Sequence, residues 1–128
     1  MLRRRRSIEP PSWSGGGAGP RILFEHPDAW AYARVLHERG FTVAACRGPE
    51  PHGPCPLVAG GACAVVEEAD LIVSGLPEPQ GSDVLRAVRR RRPDVTVVLE
   101  GTGALRPLPT PEELASAVEG SLAAGVEA

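Results

Sequence analysis

DLIVSGLPEPQGSDVLRAVRRRRPDVTVVL, residues 70–99, runs from a short apolar stretch through a turn and an amphipathic stretch into a second apolar stretch. The two apolar stretches, 70–75 and 95–99, are short and rich in β-branched residues, as strands buried on both faces are. Between them, Ser82 to Arg91 has helical spacing. Val84, Leu85 and Val88 share a face, and an arginine run ends the helix ahead of Pro93. Strand, crossover helix, strand is the unit of a parallel sheet. In such a sheet, chemistry gathers at the carboxyl ends of the strands. The residue closing the first of these strands is Gly75, which offers no side chain. That position moves the reading from catalysis toward a regulatory or binding module.

The same alternation extends in both directions. Ile22 to Phe24 reads as a first buried strand. Asp28 is placed to cap a helix running to about Arg39, with Trp30, Ala33, Val35 and Leu36 as its apolar stripe and Gly40 just past its end. Phe41 to Cys46 is a second strand. Residues 47–62, with their prolines and glycines, form an irregular loop, and 63–68 makes a helical turn or two. After the 95–99 strand comes a loop over 100–108, with room for a short edge strand at 104–106. Thr110, Pro111 and Glu113 then spell a capping box for a last helix whose face carries Leu114, Val118 and Leu122. The expectation is an α/β domain: a three-layer, flavodoxin-like parallel sheet of four or five strands, with helices on both faces.

Composition narrows the functions. The chain has 128 residues and a net charge of −2. Four arginines against one glutamate put the first 20 residues at +3, which leaves the rest at −5. We therefore divide the chain into a disordered basic, Gly-rich tail (1–20) and one folded domain (21–128). The folded part is too acidic to favour nucleic acid. The sequence contains neither lysine nor asparagine, which excludes a P-loop lysine, a Schiff-base lysine and N-glycosylation. No apolar run approaches a membrane span, and no apolar segment follows the arginines as a secretory signal requires. With an odd count of three cysteines, the expected compartment is the reducing cytoplasm.

One cluster of residues carries chemistry of its own. Cys46, His52, Cys55 and Cys63 are spaced C-x5-H-x2-C-x7-C and match a Cys3His zinc site in number and type. A redox pair of Cys55 with Cys63, or three plain thiols, are the other readings. His26, after the first strand, reads as a base or phosphate acceptor, or as a structural or capping histidine. Glu67, Glu68 and Asp70, Glu112 and Glu113, and the Arg89–Arg92 run all sit where helix ends and solvated turns favour them. There is no G-x-S-x-G elbow, and the GGGAG of 15–19 precedes the first strand instead of following it, so it cradles no phosphate.

DLIVSGLPEP with GSDVLRAVR resembles the third strand and following helix of bacterial response-regulator receiver domains. PDVTVVL is similar to their fourth strand, LRPLPTPEELASAVEGSL to their last helix and its approach, and RILFEHPD and HERGFTV to their first two strands. The resemblance covers most of residues 21–124. It implies a flavodoxin-like fold and a role in two-component signal transduction. It also implies a phosphoacceptor aspartate where this chain has Gly75, and metal-binding carboxylates where it has His26 and Pro27. The position of the receiver lysine holds Arg106, and that of the switch hydroxyl holds Gly101 or Thr102. The fourth helix has no counterpart between Glu100 and Arg106. Phosphoryl transfer depends on metal and lysine to neutralise charge. The expectation is a degenerate, non-enzymatic receiver that acts by binding a protein partner. A homodimer is among the partners considered, through the face receivers use to dimerise.

Overall fold

The structure, a computed structural model, describes residues 13, 19–27, 29–46, 55, 57–100 and 109–127, with the backbone alone at 29–30 and 125–127. Its elements are β1 (Arg21–Glu25), α1 (Ala29–Glu38), β2 (Thr42–Cys46), α2 (Ala64–Glu68), β3 (Leu71–Ser74), α3 (Gln80–Arg91), β4 (Thr96–Leu99) and α4 (Pro111–Glu127). The four strands form one sheet in the order β2-β1-β3-β4, and every pairing is parallel. This is the expected three-layer α/β arrangement. The segment suggested as a further edge strand, 104–106, lies outside the described residues.

Alternation along each strand divides the core into two layers. Ile22, Phe24, Val43, Leu71, Val73 and Val98 face α1 and α4, where they meet Leu36, Leu114 and Val118. Leu23, Ala44 and Ile72 point the other way and pack against α2 and α3 through Val65, Val66, Val84 and Val88. Both faces being covered explains why the strands read as continuous apolar runs.

The local signals appear as hydrogen bonds. Thr110 N–H donates to Glu113 Oε1 at 2.8 Å, and Glu113 N–H to Thr110 Oγ1 at 3.1 Å, which closes the capping box of α4. Gly40, past the end of α1, has φ +96°, a conformation that L side chains rarely adopt. Arg92, the last of the arginine run, donates through Nη1 to the carbonyls of Val66, Glu67 and Ala69 at 2.9–3.3 Å. It thereby adds a donor to the carbonyls at the close of α2.

Within the segment read as a tail, Trp13 is docked. Its Nε1–H donates to Glu68 Oε1 at 2.7 Å, the Arg21 guanidinium lies 5.8 Å from its ring centroid, and it packs on the α2–α3 layer. No helix among the described residues is long and apolar enough to cross a membrane.

Candidate functional site

The order β2-β1-β3-β4 puts the topological switch between β1 and β3. Open α/β sheets hold ligands at the carboxyl ends beside such a switch. Here the ladder continues one residue past each strand. His26 N–H donates to the Cys46 carbonyl at 3.0 Å, Gly75 N–H to Glu25 at 2.8 Å and Glu100 N–H to Ser74 at 3.0 Å. Two successive rows of side chains result, one on each face.

The outer row is His26, Gly75 and Glu100. His26 Nε2 lies 2.7 Å from Glu100 Oε1, so the pair bridges β1 and β4 directly above β3. Both are largely buried, with side chains 6% and 14% exposed. The His26 ring stacks on Phe24 at 5.4 Å and meets the edge of Tyr32 at 5.1 Å, while the Tyr32 hydroxyl donates to the Pro109 carbonyl at 2.7 Å. Gly75 lies beneath the pair. A Cβ there would stand 2.5 Å from Glu100 Oε1 and 2.7 Å from His26 Cδ2. The bare position read from the sequence is thus filled in space by side chains from two other strands. His26 is the partner of a carboxylate 74 positions away, a pairing with no sequence signal. Glu100 is the residue that the end of β4 brings to Gly75; Gly101, Thr102 and Arg106 lie outside the described residues.

The inner row is Cys46, Glu25, Ser74 and Leu99, neighbours in register across the four strands. Glu25 is 3% exposed, and its Oε1 has no hydrogen-bond partner among the described residues. Burial away from water pushes its carboxyl up from 4.5 to about 8, so it carries a proton at neutral pH. Glu25 faces the opposite layer from His26. The period-2 alternation after Leu23 was the signal available for that direction.

Beside this row a cleft of about 320 Å³ opens between the end of β3, the end of β4 and the start of α3. Ser74, Leu76, Glu78, Ser82, Leu99 and Glu100 line it, and no arginine does among the described residues. The first turn of α3 has its donors engaged: Gly81 N–H bonds to Pro77, Ser82 N–H to Glu78 Oε1 and Asp83 N–H to Pro79.

Of the four residues with zinc-ligand spacing, Cys46, Cys55 and Cys63 are half-buried and pack against the α2–α3 layer, and no disulfide joins them. His52 lies outside the described residues. Among the described residues no three His, Cys, Asp or Glu side chains converge to hold a metal ion. Comparison with known proteins adds no constraint: no family model, curated protein or solved structure matches the chain.

Proposed function

We propose that this protein is a receiver-like regulatory domain that accepts no phosphoryl group and works by binding a protein partner. The observation that carries the reading is the His26–Glu100 pair closed over Gly75. Phosphoryl transfer needs a nucleophile with room in front of it and cationic charge around the transferred group. At this corner the nucleophile's place is a glycine. The space above it is occupied, and the nearby carboxyl of Glu25 is neutral at pH 7 because it is buried. A sheet that keeps its packing while its reaction corner is filled is suited to presenting a surface. Incubation with acetyl phosphate and magnesium, followed by intact-mass measurement, tests the reading. The expected result is an unchanged mass; an adduct of about 80 Da, one phosphoryl group, overturns it.

A second reading makes the sheet a scaffold for a zinc site or thiol pair in the 46–63 loop. It rests on three half-buried thiols packed against one apolar layer. Metal analysis of protein purified without chelator decides it. About one equivalent of zinc supports the reading, whereas less than about a tenth, with all thiols titratable, removes it.

A further inference from the structure

We propose that the cleft between β3, β4 and α3 receives an arginine side chain of the partner polypeptide. This inference rests on the partner-binding reading above and names the chemistry of the contact.

The cleft offers acceptors and few donors. Glu78 and Glu100 stand on opposite sides of it, one at the start of α3 and one at the end of β4. Glu78 has no cationic partner among the described residues. Between the two lies Ser74, 7% exposed, whose side chain lines the cleft and makes no hydrogen bond among the described residues. A hydroxyl at the cleft wall with no protein partner is open to a donor or acceptor of a ligand. The amides of Gly81, Ser82 and Asp83 at the start of α3 are already taken, and an anion in the cleft meets two carboxylates. A cation with several donors meets the opposite situation.

The rest of the wall fixes the shape of that cation. Leu76, Leu85 and Leu99 supply apolar surface along the cleft. An arginine matches this combination: its methylene stem covers leucine while its head stays polar. Its planar guanidinium carries five donors in a fixed fork, enough to reach carboxylates on two sides and a hydroxyl between them. Glu100 keeps its bond to His26.

The experiment is a titration of the full-length, ¹⁵N-labelled chain with a blocked Ala-Arg-Ala tripeptide and with its citrulline twin, which has the same shape and no charge. Saturable amide shifts at Ser74, Gly75, Gly81 and Ser82 are expected with the arginine peptide, and affinity at least about 3-fold weaker with citrulline. Glu78→Gln keeps an oxygen for the Ser82 amide and removes the charge. It should weaken arginine binding about 3-fold with the rest of the spectrum unchanged. Silence of these four amides at about 10 mM peptide overturns the proposal. So does equal binding of the two peptides, or indifference to Glu78→Gln. These outcomes leave the phosphorylation test untouched, so the two readings fail separately.

Discussion

At the amino end of the sheet, Arg92 donates to three carbonyls at the close of α2, Arg91 pairs with Glu67, and Glu68 accepts from Trp13. Asp70 Oδ2 accepts from the Arg21 amide at 2.8 Å. Each polar group there completes a helix end or a strand start. At the carboxyl end, Glu25 is buried with an oxygen that bonds to nothing among the described residues, Ser74 lines a cleft, and a His–Glu pair occupies the space above a glycine. Burying such groups costs free energy that the fold alone does not require. The contrast sets an end whose polar groups complete the fold against an end where polar groups gather at the place parallel sheets bind ligands.

The comparison is broken most forcefully at Glu25. A carboxyl raised by burial keeps its proton in the folded state after the unfolded chain has lost it. Its contribution is therefore fully present below pH 4.5, is lost as pH rises toward about 8, and stays lost above. Glu25→Gln should match the parent below about pH 4.5 and exceed it by roughly 4–5 kcal/mol at about pH 9 in urea unfolding. Parallel pH profiles for the two proteins would show that the carboxyl is solvated or paired.

Gly75→Asp comes next. The new side chain must displace the His26–Glu100 contact, so a loss of about 2–3 kcal/mol in the same assay is expected. Adding Glu100→Ala should return part of it, because the two changes meet in one space. Strict additivity would mean that Gly75 is bare for another reason. At the amino end, Arg92→Ala should cost about 2 kcal/mol through the α2 carbonyls it strands, read from the urea midpoint at constant slope. The smallest effect belongs to Trp13→Ala, about 1 kcal/mol from a half-buried ring and one hydrogen bond, with a drop of a few degrees in melting temperature. An unchanged melting temperature would mean that the docked Trp13 adds nothing to the amino end.

Legibility followed the range of the interactions. The capping box at Thr110, the turn at Gly40 and the helix over Ser82–Arg91 depend on residues within a few positions of each other, and all are found where the sequence puts them. The roles of single polar residues were less visible. Arg92 reads as one cation of a favourable helix end, whereas its work is to cap a different helix. Trp13 reads as part of a tail because its partners, Arg21 and Glu68, are brought together only by β1 and α2.

The sequence by itself determined the alternation of strand and helix, the two-sided burial that makes the sheet parallel, and the bareness of Gly75. Period and local capping encode these features, and they survive without knowledge of neighbours. Tertiary structure alone decided what stands over Gly75 and what surrounds Glu25. Both depend on strand order: β1 and β4 flank β3 only because the chain crosses from β2 over β1 before laying down β3. That crossing brings His26 to Glu100 and sets Glu25 between Cys46 and Ser74.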